Sequence, residues 1–364
     1  MGNNIDIFRK EIDTIDQQLL QLLNRRAACA QEIGEIKKQT GSPVFHPERE
    51  NQVIQNLVDA NTGPVMNASV AAIWREIMSA CRALEQHIRV AFLGPAGTFT
   101  EEAAISFFGS SVAFEACSSI DAIFKSVSND NCRFGVIPIE NSTEGSVNRS
   151  LDLLQQSTLK IVGELRLTIR HQLLSRETDL SGIQTVYAHP QALAQCQMWL
   201  SENLPHAVQQ AVSSNAEGAL LASQNPKTAA IAGKNAADLY QLHTLEQGVQ
   251  DTGHNRTRFL VLARQDEAQT PLFDINSSCT SLVVSVPNKP GALHDLLVPL
   301  KRHQVTLTKL ESRPAKSEHW EYFFYMDIAG HLDHPPVRQA VEEVRQLCSF
   351  FKLLGSYSIR KEVL

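Results

Sequence analysis

Residues able to do acid, base or hydrogen-bond chemistry gather most clearly in two parts of the 364-residue sequence. In the first, Arg26 interrupts an otherwise apolar series at positions 5, 8, 12, 15, 19, 22, 29, 33 and 36, and Lys37 follows eleven residues later. On a helix that separation is about 20° of rotation, so both cations can line one side of a cleft. A charge on an apolar seam is costly unless paired, and Arg26 therefore calls for a carboxylate from another helix or an anionic ligand. Glu85 lies beside a later apolar stripe, four residues after Cys81 and seven after Met78. Partial burial there raises a carboxyl pKa unless a cation neutralises it. The second part is CRFGVIPIENSTEGSVNRSLDLL, residues 132–154. Val136, Ile137 and Ile139 read as a buried strand, with Pro138 marking its end or a sheet edge. Glu140, Asn141, Ser142, Thr143 and Glu144 then form a polar loop ahead of a helix opened by Gly145 and Ser146. Open α/β sheets place ligands at such loops, and a well-capped turn is the alternative.

The elements that must hold these groups follow from periodicity. The apolar series reads as a heptad-like seam on one long helix. A second helix begins near Pro47, with Glu48, Arg49 and Glu50 in its first turn. A third runs from about Asn67 to His87 with Val70, Ile73, Ile77, Cys81, Leu84 and Ile88 as its core stripe. From Arg89 to Leu262 short strands alternate with helices, which predicts a doubly wound α/β domain in two lobes with ligand between them. Residues 266–278 read as a polar linker, and the remainder shows a βαββαβ order, which predicts a ferredoxin-like domain. The expected organisation is multidomain: an all-α domain over 1–88, a two-lobed α/β domain over 89–265 and a ferredoxin-like domain over 279–364.

Composition narrows the partners. With 43% hydrophobic residues, 20% charged residues and a net charge of -6, the chain is not a general nucleic-acid or membrane-surface binder. Any anionic ligand is then expected to be gripped by local arginines. Seven scattered cysteines without a C-x-x-C spacing indicate reduced, mostly buried thiols rather than disulfides or a zinc site. No apolar leader or span is present, which points to the cytoplasm. Gly94 and Gly97 form no nucleotide-binding fingerprint.

Three resemblances add chemistry. The runs IFRKEIDTIDQQLLQLLNRRAACAQEIGEIK, PERE and IWREIMSACRALE resemble the all-helical chorismate mutases over nearly all of residues 1–90. By motif position the resemblance implies ligand-binding roles for Arg9, Arg26, Lys37, Arg49, Glu50 and Glu85. It also implies rearrangement of chorismate to prephenate, a unimolecular step needing no metal or cofactor. Catalysis there can come from holding a dianion in its reactive conformer and stabilising charge on the breaking ether oxygen, to which Lys37 and a protonated Glu85 would donate. Arg9 and Arg26 are seventeen residues apart, about 25 Å along one helix. If both serve one site, Arg9 comes from a partner chain, which implies at least a dimer through the N-terminal helices. Many relatives carry an amide where Glu85 stands, and an acidic residue where His46 stands. The alternative is a three-helix dimerisation module whose charges pair with one another.

FLGPAGTFTEEAA, GVIPIENSTEGSVNRSLDLL, YAHPQALAQC and TRFLVLA, in this order, resemble prephenate dehydratase. The implied site residues are Asn141, Gln191, Gln195, Thr257, Arg258 and Phe259, with Asn141, Gln195 and Thr257 catalytic; Thr257 is expected to touch the departing hydroxyl, with Glu140 or bound water as the alternative proton source. Ala188 stands where that family often has serine. PNKPGALHDLL and KLESRP resemble the phenylalanine-binding ACT domains attached to such enzymes. They imply a regulatory site at Asn288, Gly291, Ala292, Leu293, Glu311 and Ser312, with L-phenylalanine as inhibitor. The chain thus reads as a bifunctional enzyme of phenylalanine synthesis. The alternatives are a dehydratase whose helices only dimerise, and a two-lobed amino-acid sensor without turnover.

Overall fold

The computed structural model describes residues 2–40, 47–85, 87–265, 278–314 and 322–363. His46 and residues 266–277 lie outside them. The described chain clusters into two compact units, Met1–Ile88 with Phe108–Ala113, and Arg89–Phe107 with Phe114–Leu364.

The first unit holds three helices: α1 (Gly2–Thr40), α2 (Pro47–Ala60) and α3 (Asn67–Glu85). α3 packs on both others. The expected core stripe of α3 is only partly the observed one. Val70 and Cys81 are buried, but so are Met78, Ser79 and Arg82, whereas Ile73 and Leu84 are exposed. Those two lie on a face that α1 and α2 do not cover. The seam of α1 is likewise uncovered: Ile5, Phe8, Ile12, Ile15, Leu19, Leu22, Ile33 and Ile36 are all exposed.

The second unit opens with β1 (Arg89–Leu93), α4 (Phe99–Phe108), β2 (Ala113–Cys117), α5 (Ile120–Ser128), β3 (Phe134–Asn141), β4 (Gly145–Ser146), α6 (Asn148–Gln156) and β5 (Lys160–Thr168). A second lobe follows: β6 (Gln172–Ser175), β7 (Thr185–Ala188), α7 (Pro190–Gln195), α8 (Gln197–Asn203), β8 (Val208–Ala211), α9 (Asn215–Gln224), β9 (Thr228–Ala232), α10 (Lys234–Tyr240) and β10 (His243–Gln247). The chain then returns to the first lobe as β11 (Arg256–Ala263). The last domain is β12 (Ser278–Ser285), α11 (Ala292–Arg302), β13 (Leu307–Pro314), β14 (Tyr322–Ala329), α12 (Pro335–Leu347) and β15 (Phe350–Val363).

Both lobes are mixed rather than parallel doubly wound sheets. In the first, β3 runs parallel to β1 but antiparallel to β11, and β11 is antiparallel to β5. The second has the order β10-β6-β9-β7-β8. The strand expected to end near Pro138 instead continues to Asn141 in the sheet interior. Its ladder to β1 stops at Val136, and its pairing with β11 shifts register beside Pro138, so the missing N–H falls at an irregularity where it costs little. Gly145 and Ser146 do not open the helix; they pair back on Asn141 and Glu140.

The C-terminal strands have the order β13-β14-β12-β15, the ferredoxin-like arrangement, and the sheet runs on into the first lobe because β15 also pairs with β5. Gly355 makes that crossing possible, since a Cβ there would overlap the carbonyl oxygen of Ile161. Gly355→Ala is expected to cost about 1–3 kcal/mol through this overpacking, read as a lower urea midpoint with an unchanged slope.

All seven cysteines are free, and only Cys29 is exposed. Burial pushes the Cys196 and Cys279 thiols up to about 12. No helix among the described residues is long and apolar enough to cross a membrane.

Candidate active sites

In the helical unit, α1 and α3 bring Lys37 and Glu85 together at 3.7 Å, with side chains 21% and 12% exposed. The approach depends on Gly34, which is buried and whose added Cβ would stand 3.0 Å from the Glu85 Cβ. The separation is that of an ion pair rather than a hydrogen bond, and Glu85 Oε2 has no hydrogen-bond partner among the described residues. Burial raises the Glu85 pKa, partly offset by Lys37 and Arg82. Glu50 accepts a 2.6 Å hydrogen bond from Arg82, which is 3% exposed and also donates to the Phe108 carbonyl. Arg82 is a residue that periodicity had hidden in the α3 core. Arg26 is half-buried, whereas Arg49 is exposed and bonds Gln52 at 3.2 Å. Arg9 is exposed and pairs locally with Asp6 at 3.4 Å. Because α1 is continuous, Arg9 stands about 42 Å along the helix from Lys37 and cannot join it within one chain.

In the second unit a cavity of about 810 Å³ opens between the two lobes. Asn141, Gln191, Gln195, Thr257 and Phe259 line it, together with Thr98 to Thr100 and Ser213 to Asn215. The latter groups stand at the starts of α4 and α9. No Lys, Arg, Asp or Glu is among the described residues lining it. The expectation that local arginines grip an anion therefore fails for this cavity; its donors are helix-start amides, hydroxyls and carboxamides.

Strand geometry explains where the other two expected residues went. Successive side chains of a strand face opposite sides, so Thr257 and Phe259 point one way and Arg258 the other. Glu140 and Asn141 part in the same way, and neither Glu140 nor Arg258 lines the cavity. Arg258 instead bonds Glu140 at 2.9 Å, the fully buried Glu164 at 2.7 Å and Asp327 of β14 at 2.9 Å. Burial alone would lower the Arg258 pKa, but Glu164 and Asp327 outweigh it and hold the guanidinium charged. Burial likewise pushes Glu140 up, and hydrogen bonds from Lys309 and Arg258 overcome it to hold the carboxyl below its usual range. Ala188 is fully buried and lies off the cavity wall.

On the cavity side, Asn141 Nδ2 donates to Thr257 Oγ1 and to Asn255 Oδ1, each at 2.8 Å. Gln195 Oε1 accepts from Asn255 at 3.0 Å and lies 2.9 Å from His171 Nε2. Sequence reasoning missed Asn255, His171 and Ser213 to Asn215, none of which belongs to a local pattern. Asn255 directly precedes the T-R-F strand, the one signal that could have drawn attention to it.

In the C-terminal domain, Gly291 holds φ +82° and caps α11, a conformation that favours glycine. Asn288 and Leu293 are exposed, and Ala292 is buried. Val284 and Ser312 both pair with Phe324, so the loop after β12 and the end of the K-L-E-S-R-P strand lie at the same end of the sheet. Alternation splits that motif. Ser312 is exposed, while Glu311 accepts from Ser146 of the first lobe and Arg313 bonds Asn148 at 2.8 Å.

Residues 8–86 match the chorismate mutase type II family, 90–267 the prephenate dehydratase family and 280–346 the ACT domain. A bifunctional chorismate mutase/prephenate dehydratase of Pseudomonas aeruginosa is 42% identical over 361 residues, covering 98% of each chain. One from Neisseria gonorrhoeae is 46% identical over 352 residues, covering 96% of this chain and 95% of that one. A prephenate dehydratase from Arthrobacter aurescens, solved in complex with L-Phe, superposes with TM-score 0.68 at 31% identity over 74% of this chain and 90% of its own. Matched from end to end by relatives with both activities, and segment by segment in the same order, the chain belongs to the family of bifunctional chorismate mutase/prephenate dehydratases.

Proposed function

We propose that the Lys37–Glu85 pair is the mutase centre and that the cavity between the lobes converts prephenate to phenylpyruvate under control of L-phenylalanine. The observation that carries the dehydratase assignment is the hydrogen bond from Asn141 Nδ2 to Thr257 Oγ1 on the cavity wall. Because Thr257 Oγ1 already accepts, its own proton is left for a ligand. In the reaction the bond from the ring to its carboxylate breaks and carbon dioxide leaves. The electron pair enters the ring, which becomes aromatic as the C4–O bond breaks, and the departing hydroxyl takes a proton and leaves as water. Thr257 donates a hydrogen bond to that oxygen as its charge grows, while Gln191 orients the side-chain carboxylate and keto oxygens. The amide groups at the starts of α4 and α9 supply the field for the substrate's two negative charges.

In the mutase centre, Lys37 and protonated Glu85 donate to the ether oxygen, and Arg26 and Arg49 hold carboxylates. Arg9 would reach this centre only from a second chain. The uncovered apolar seam of α1 supports such a dimer, because a heptad stripe of that length is stable in water only when paired.

The regulatory site is assigned to Asn288, Gly291, Ala292, Leu293, Glu311 and Ser312. Two supports are the loop and motif meeting at one end of the sheet, and the L-Phe complex of the Arthrobacter relative. Linkage makes the effect reciprocal: phenylalanine is expected to raise the KM for prephenate, and prephenate to weaken phenylalanine binding. The test supplies prephenate directly to the purified chain, with and without phenylalanine. Phenylpyruvate release that phenylalanine suppresses is expected. Unconsumed prephenate overturns the dehydratase assignment, and equal phenylalanine affinity with and without substrate overturns the regulatory one.

A further inference from the structure

We infer that Asn255 and His171 are positioning residues of the dehydratase step, Asn255 as a member of a one-way ring of hydrogen bonds and His171 as the outside donor that fixes its sense, so that the Thr257 hydroxyl proton stays available to the substrate. The inference rests on the assignment of Thr257 above and extends it to two residues that the motifs do not name.

Directions can be fixed one bond at a time. The backbone N–H of Thr143 lies 3.0 Å from Asn141 Oδ1 and can only donate, so this end of the Asn141 side chain is its oxygen. The other end is therefore the NH2, facing Asn255 and Thr257. Asn255 receives that bond on Oδ1, which turns its own NH2 toward Gln195 Oε1 at 3.0 Å. Gln195 must then present its NH2 to Thr143 Oγ1, at 3.0 Å, and Thr143 Oγ1 donates to Asn141 Oδ1 at 2.5 Å. Four side chains, Gln195, Thr143, Asn141 and Asn255, thus donate around a closed circuit in one sense. Chains of this kind polarise one another and strengthen each member.

His171 stands outside the circuit and fixes its sense by donating to Gln195. Its Nε2 is 2.9 Å from Gln195 Oε1, an oxygen, and so must carry the proton. The imidazole is held neutral as that tautomer by its place in the fold: it is 3% exposed, its Nδ1 has no hydrogen-bond partner among the described residues, and the Phe99 ring stands edge-on at 5.6 Å. Asn255 is 2% exposed. Reversing the circuit would set two N–H groups against each other at Thr143, turn the Asn141 oxygen toward Thr257 and consume the Thr257 proton in an internal bond. Asn255 and His171 therefore act through Asn141 and Gln195 on the state of Thr257.

Near-isosteric replacements test this. Asn255→Asp keeps the acceptor toward Asn141 but sets an oxygen against Gln195 Oε1. It is expected to lower the dehydratase kcat by about a hundredfold with KM held within about threefold. His171→Phe keeps a ring beside Phe99 and removes the donor, with about a tenfold loss, and His171→Gln, which restores an N–H, is expected to recover most of it. In a Thr257→Val background none of these should cost anything further, since the group they serve is gone. The His171 pair carries the test if Asn255→Asp unfolds, which thermal melting reports. Unchanged kcat in His171→Phe, no recovery in His171→Gln, a KM effect in place of a kcat effect, or losses that multiply with that of Thr257→Val would each overturn the inference while leaving the Thr257 assignment standing. A Thr257→Val variant of normal rate would instead overturn that assignment, and the inference with it.

Discussion

Thr257→Val is expected to lower prephenate turnover by about a hundredfold to ten-thousandfold while chorismate is consumed at the normal rate. Valine matches threonine in shape, so the packing at this 8%-exposed position is kept and only the hydroxyl is lost. Two effects then add. The departing oxygen loses its donor at the moment charge develops, and Asn141 Nδ2 loses one of its two acceptors. The effect belongs to kcat more than to KM, because the bond strengthens only as the C4–O bond breaks. A built-in control exists, since chorismate turnover is assigned to the separate helical unit. Steady-state assays of both substrates on one preparation measure the ratio. Equal losses in both would mean a folding defect, and no loss would remove Thr257 from the mechanism.

The mutase rate is expected to fall as pH rises, by about tenfold per unit once Glu85 ionises. The sign follows from the site. Burial raises the Glu85 pKa against the opposing pull of Lys37 and Arg82, so the carboxyl keeps its proton to higher pH than usual and loses it as pH climbs. In the proposed role it would donate to the ether oxygen beside Lys37 when protonated and repel that oxygen when ionised. Glu85→Gln supplies a donor that cannot ionise and should flatten the profile, with the greatest gain over the parent chain at alkaline pH. Chorismate loss followed from pH 5 to 9 decides the matter, and a flat profile in the unaltered chain contradicts it.

Much of the architecture was legible because its periods are local. The three-and-four spacing on α1 predicted one long helix, and α1 is continuous to Thr40. The Thr257 and Phe259 pair was legible through its motif, yet treating T-R-F as one site overlooked that a strand sends alternate residues to opposite faces. Arg258 consequently serves the junction with Asp327 of β14 and not the cavity. β8, with its four exposed residues, had no apolar alternation to reveal it. α9, whose start lines the cavity, lies in an alanine-rich run without a clear stripe. Ile73 and Leu84 read as core because they are apolar at helical spacing, and spacing does not say which surface covers them. Asn255 and His171 were invisible for a different reason. Their meaning comes from partners 60 to 114 residues away in the case of Asn255 and 24 away for His171, joined only when the end of β3, the residues just before β6 and β11, and the end of α7 meet.

The central claim is that one chain carries two consecutive activities in two separate sites. Its most direct test is to give the purified protein chorismate alone, without added metal or nucleotide, and to follow chorismate, prephenate and phenylpyruvate together. The structure predicts a rise and fall of prephenate followed by phenylpyruvate in stoichiometric yield. Lasting accumulation of prephenate would contradict the dehydratase site at Thr257, and untouched chorismate would contradict the mutase centre at Lys37 and Glu85.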